Sequence, residues 1–339
     1  MDFNKGGMIM YQLKYDFQQY NEAIEVYLEV IINKSTENFQ AQITNGQIKD
    51  PENDANALAG CIQNIEEYLY YNFTSNPDKF YNVLNATMNN ITTIACLPSN
   101  KRTIYGETQV GNKIIYINPE LGASETLTGE ERTRLYMANE LGHAVNSEWM
   151  KKVIEYANRQ IRLGSLSQEH AQLIYDGFSM LDEATTQDRA EDFVYLFSGK
   201  QRPQQLAYVN NKLFNGQPYI SNYDYYGELQ APATMFARTL RGIGKEENDS
   251  KALRLLSSRA LSPDFFNSIL NEYTIDGQMP SFIREVQYMG LLKRASYANF
   301  GAEDRKYLQG SGQYLSELSS VTAQMRDYRE PLEYSDLGR

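Results

Sequence analysis

The chain has 339 residues, enough to bury a sizeable core in one large domain or two. Its hydrophobic fraction of 42% and aromatic fraction of 12% belong to a folded protein and exclude global disorder. A formal net charge of −11 excludes a general affinity for nucleic acid or anionic membrane, since either needs a basic field.

The N-terminal stretch "MDFNKGGMIMYQLKYDF" contains no apolar run of signal-peptide length. Nothing further along reaches the roughly 18–20 apolar residues that a membrane span requires. Cys61 and Cys96 are too few for a disulfide framework or a cysteine-rich metal site. A cytoplasmic protein is expected, with no membrane or nucleic-acid partner.

In chain order, "KYDFQQYNEAIEVYLEVIINK" spaces its apolar residues as a helix does. The polar "TNGQIKDPENDAN" reads as a turn-rich connection. Two more helices follow in "ALAGCIQNIEEYLYYNF" and "PDKFYNVLNATMNNI", the second opened by Pro77 in its first turn. Near residue 91 the pattern changes. "ITTIACL" is short and β-branched, and "RTIYGETQ" and "KIIYINPEL" flank Gly111-Asn112, a pair suited to a tight hairpin. A small sheet is therefore expected just before the helix that carries "NELGH".

That helix is bounded by a capping box, Thr128 with Glu131. Leu135, Ala138, Leu141, Val145 and Trp149 give it an apolar stripe. A long helix is expected from about Ser167 to Phe197, with Ser165 and Gln168 as its capping box. Beyond it, "GELQAPATMFARTLRGI" and "PSFIREVQYMGLLKRA" read as further helices. The expected fold class is α+β and predominantly helical. Its segments are an N-terminal helical part (1–90), a central part with sheet and "NELGH" helix (91–200), and a helical C-terminal part (201–339).

Asn139, Glu140 and His143 carry the chemistry. Positions four apart on a helix share one face, so Asn139 and His143 can converge on one ion, with Glu140 beside it. "NELGH" resembles the His-Glu-x-x-His helix of the zincin superfamily of metallopeptidases, with asparagine in place of the first histidine. In that family the two histidines hold zinc, and the glutamate takes a proton from metal-bound water. "KIIYINPEL" would be the strand that binds extended substrate. "LDEATTQD" resembles the Asn-Glu-Ala motif in which the gluzincin branch carries its third ligand. The resemblance thus implies Glu183 as a metal ligand, with Asp182 in the Asn place. Asp188 would orient His143, although it stands one residue later than the gluzincin pattern prefers. The resemblance spans roughly residues 91 to 198.

The asparagine changes the expected chemistry. Catalytic zinc normally has three donors from His, Glu, Asp or Cys plus water, and a neutral amide oxygen suits calcium better. Zinc binding is therefore expected to be weak, or the site metal-free. His170 is the other histidine of the chain, thirteen residues before Glu183. On an unbroken helix that is about 20 Å along the axis, too far to substitute unless the helix breaks, with Gly177 as the candidate break. The expectation is a zincin-like metallopeptidase homologue with impaired or lost hydrolysis, with catalytic Glu140 and metal residues His143, Glu183 and Asn139, and a peptide or protein as ligand. The alternative is a helical peptide- or protein-binding scaffold without hydrolytic activity, in which "DRAED" and "QDRAE" are simply the polar face of a long helix.

Overall fold

The computed structural model describes residues 11–200 except 103, 125 and 126, and, beyond them, 230, 233, 234, 236, 237, 240–243, 249–275, 286, 289 and 290. The fold is predominantly helical with one small three-stranded sheet. Its helices are α1 (Asn21–Thr44), α2 (Pro51–Ser75), α3 (Phe80–Asn90), α4 (Gly129–Arg162), α5 (Gln168–Ser198), α6 (Asp249–Arg259) and α7 (Phe265–Ile275). The strands are β1 (Thr93–Cys96), β2 (Gly106–Gln109) and β3 (Ile114–Ile117). None of the described helices is long and apolar enough to cross a membrane. Of the two later sequence-predicted helices, the described positions 230, 233, 234, 236, 237, 286, 289 and 290 are helical, 240–243 form a bend and turn with Gly242 at φ 79° where the first was expected to continue, and the rest lies outside the described residues.

Several boundaries differ from the sequence reading, each for a local reason. The supposed connection before α2 is already helix from Pro51. Proline suits a first helical position, and the Asp50 carboxylate caps the turn by accepting the Asn53 amide at 3.2 Å. Pro77, by contrast, precedes α3 in a turn and does not open the helix. For α5 the capping hydroxyl is that of Ser167, which accepts the His170 amide at 3.2 Å, and not that of Ser165. The Thr128–Glu131 capping box forms in both directions. The Glu131 amide donates to Thr128 Oγ1 at 3.2 Å, and the Thr128 amide donates to Glu131 Oε2 at 2.7 Å.

The chain forms two compact units, 1–148 with 189–202, and 149–188 with 203–339. The divisions fall inside α4 and α5.

In the first unit the strand order is β1-β3-β2, with β1 parallel and β2 antiparallel to β3. The strand in "KIIYINPEL" is thus central, with both edges hydrogen-bonded, and cannot be the edge that takes an extended substrate. The outer edge of β1 is covered by α1, whose Ser35 hydroxyl accepts the Ile94 amide at 2.8 Å and whose Gln42 donates to the Cys96 carbonyl at 2.7 Å. The β2–β3 connection is also longer than a two-residue hairpin turn. Val110–Asn112 make one 3-10 turn, and Lys113 takes the left-handed position at φ 56°.

Consecutive buried acids on α2 tie down two other segments. Glu66 accepts from Tyr11 Oη at 2.6 Å and from the Lys14 and Tyr15 amides at 2.5 and 2.9 Å. Glu67 pairs with Arg134 of α4 at 3.1 Å, fixing the early turns of that helix.

The second unit has an aromatic core in which Trp149, Phe178, Phe265 and Phe266 are buried. The Trp149 indole donates to the Ala260 carbonyl at 3.0 Å, so its one polar atom is satisfied. Helix α5 is unbroken at Gly177. A Cβ there would lie 2.1 Å from the Val286 carbonyl oxygen, and one at Gly290 would lie 2.2 Å from the Leu173 carbonyl oxygen. The two glycines allow a close backbone crossing.

Candidate functional site

Helix α4 carries Asn139, Glu140 and His143 as the spacing requires. At 100° per residue Asn139, His143 and Asn146 fall on one stripe, and Glu140 points about a quarter-turn away. Asn139 is 2% exposed, Glu140 is 8% exposed, and His143 is half-buried.

Glu140 is directed at β2. The Thr108 hydroxyl lies 2.6 Å from Glu140 Oε2 and 3.0 Å from the Glu140 carbonyl oxygen, so one donor serves both acceptors. Beside it, a Cβ at Gly106 would lie 3.1 Å from Glu140 Oε1 and 3.2 Å from its Cγ. A larger residue at 106 would displace the carboxylate. Thr108 and Gly106 are two apart on a strand and so face the same side of the sheet. Aromatic stacking joins the same elements: Tyr105 lies on Tyr136 at 4.4 Å between ring centroids, with the Arg132 guanidinium 5.4 Å from the Tyr105 ring.

The hydrogen-bond pattern fixes which way β2 presents its backbone. The Asn118 amide donates to the Tyr105 carbonyl, while the Ile117 carbonyl serves Leu97 on the β1 side. Antiparallel alternation then turns residues 105, 107 and 109 toward β3, and Gly106 and Thr108 toward the open edge. Among the described residues β2 pairs with β3 alone. The two residues that touch Glu140 with their side-chain face therefore also carry the outward-facing amides and carbonyls.

Helix α5 brings a second polar group to the first unit. The Arg189 guanidinium donates to Asn146 Oδ1 at 3.0 Å, and both residues are buried. Asp192, one turn on, accepts from Tyr71 Oη at 2.8 Å. The reading of "QDRAE" as a solvated face is corrected here. Thr185, Thr186, Gln187, Asp188 and Arg189 are all buried. Burying a polar group costs about 1–3 kcal/mol unless it is hydrogen-bonded. Thr185 and Thr186 meet that need by donating to the Leu181 and Glu183 carbonyls at 2.7 and 3.0 Å.

Glu183 is half-buried on α5 and belongs to the second unit. His170 is exposed at the start of that unbroken helix, about 20 Å along its axis from Glu183, and does not replace the missing ligand. Among the described residues no group of three or more His, Cys, Asp or Glu side chains is placed to hold a metal ion. On α4 itself one imidazole and a neutral amide, His143 and Asn139, do not make a tight zinc centre.

Sequence reasoning did not find Thr108, Gly106 or Arg189. The signal for the first two was the small-then-hydroxyl alternation of "GETQ", which means something only once its facing helix is known. Cys61 and Cys96 are both free and buried, as expected for small core residues, and burial pushes the Cys96 thiol up to about 12. No known protein family matches the chain, and comparison with curated proteins and with solved structures returns no match either.

Proposed function

We propose that the chain is a zincin-like metallopeptidase homologue of gluzincin type, with zinc-dependent hydrolysis impaired or lost at Asn139 and a strand edge retained for an extended peptide. The observation that supports this reading is the placement of Glu140, through Thr108, against β2, which among the described residues pairs with β3 alone. A polypeptide added to β2 would hydrogen-bond to the outward-facing backbone of Gly106 and Thr108, directly beside the Glu140 carboxylate. By the resemblance, Glu140 stands in the place of the general base, and His143, Glu183 and Asn139 in the places of the metal ligands.

The donor set favours binding over catalysis, so the peptide is a ligand before it is a substrate. A cytoplasmic setting without nucleic-acid partners agrees with the acidic net charge and with two free cysteines. The test is hydrolysis of a fluorogenic peptide library with and without added zinc. The chain with Asn139 is expected to show no zinc-dependent cleavage, Asn139→His to gain it, and Glu140→Gln in that background to abolish it. Zinc-dependent cleavage that is indifferent to Glu140→Gln, or none in Asn139→His, sinks the reading.

A further inference from the structure

Glu140 has a second role open to it that does not depend on a metal. Strand β2 has only four residues and pairs with a single partner strand among the described residues. A strand so short is weakly held by its own ladder. The contact at Thr108 adds a hydrogen bond from a hydroxyl to a carboxylate, stronger than one between neutral groups. The same hydroxyl also reaches the Glu140 carbonyl oxygen, so side chain and helix backbone are gripped together. Gly106 supplies the space in which the carboxylate lies.

We propose that Thr108 and Glu140 form a latch that fastens the edge strand β2 to α4, with Glu140 acting as a positioning residue for the strand. The latch holds the outward-facing backbone of Gly106 and Thr108 in the extended form that a peptide would pair with. It deepens the peptide-edge reading given above, and rests on that reading for its consequence, though not for its existence. An amide oxygen can accept the Thr108 hydroxyl as a carboxylate does, so the latch needs an acceptor and no acid–base chemistry. That separates it from a general base, for which Glu140→Gln is a null substitution.

The test is residue-resolved amide hydrogen exchange on the full chain, read at Glu107 and Gln109, whose amides face β3. Thr108→Val and Glu140→Ala should each accelerate exchange roughly tenfold or more, the loss expected for one charged hydrogen bond. Thr108→Ser should stay within about threefold of the parent, and Glu140→Gln, which keeps an acceptor but loses the charge, should exchange more slowly than Glu140→Ala. The proposal is overturned if Thr108→Val exchanges as the parent does with unchanged helical circular dichroism, or if Glu140→Gln is as fast as Glu140→Ala. Should Thr108→Val fail to fold, the two Glu140 variants decide the question alone. A latch that behaves as stated in a protein that pairs with no peptide removes the peptide reading and leaves the latch standing.

Discussion

The side chains that position the sheet are charged and buried, and one of them shows how much a single residue holds. Arg102 reaches the Asp54 carboxylate at the start of α2, the Glu120 carboxylate after β3, and the Leu97 carbonyl after β1 at 3.1 Å. The Asp54 side chain has no exposure, and that burial raises its pKa, with Arg102 opposing the shift. Removing the cation should therefore leave a buried carboxylate uncompensated, a loss of about 3–5 kcal/mol. Arg102→Met is expected to lower the urea midpoint, and Asp54→Asn combined with it should recover much of the loss. A carboxyl with a raised folded pKa favours the native state in its protonated form. The Arg102→Met deficit should thus grow as pH rises through that folded value and shrink below the ordinary carboxylate range. A deficit independent of pH would contradict this account. None of the pairing was legible in the sequence, because Asp54, Arg102 and Glu120 are far apart in the chain and each sits in an ordinary polar context. The Thr108–Glu140 contact was hidden in the same way.

At the scale of elements the sequence was far more readable. The capping box, the helical stripe of α4 and the three β-branched segments rest on local patterns, and local physics decided them. What it did not reveal was strand order. "KIIYINPEL" carries the strongest β signal, and its strand lies at the centre of the sheet, hydrogen-bonded along both edges, whereas the strand with all four residues buried is β1. The more polar "GETQ" took the edge, as polar strands do. The same blindness applied to Gly177, which reads as a helix breaker in one dimension and packs a helix crossing in three. Gly177→Ala should therefore destabilise the protein despite alanine's higher helix propensity. Propensity alone gains about 1 kcal/mol, whereas a Cβ set 2.1 Å from a backbone oxygen forces the helices apart and costs more. A thermal midpoint below that of the parent is expected; an equal or higher midpoint would show that the crossing is looser than described.

For the molecule as a whole, the sequence conveyed fold class, mostly helical with a small sheet, from periodicity alone. It also singled out α4, which buries Asn139, Glu140 and Asn146, and α5, which buries the polar run 185–189. It did not show that packing would divide the chain inside those same helices, because compact units are set by tertiary contacts and not by composition. Both helices carry residues that the proposed function needs, and this chain has one imidazole where the zincin pattern has two. The most direct measurement is calorimetric titration of zinc into chelator-stripped protein, comparing the chain with Asn139, Asn139→His, and Asn139→His with Glu183→Ala. The account predicts weak or no binding in the first. It predicts a stoichiometric site tighter by roughly a hundredfold or more in the second, and loss of that gain in the third. An Asn139→His protein that folds as the parent does and binds zinc no better than it, or one whose zinc is indifferent to Glu183→Ala, would contradict it.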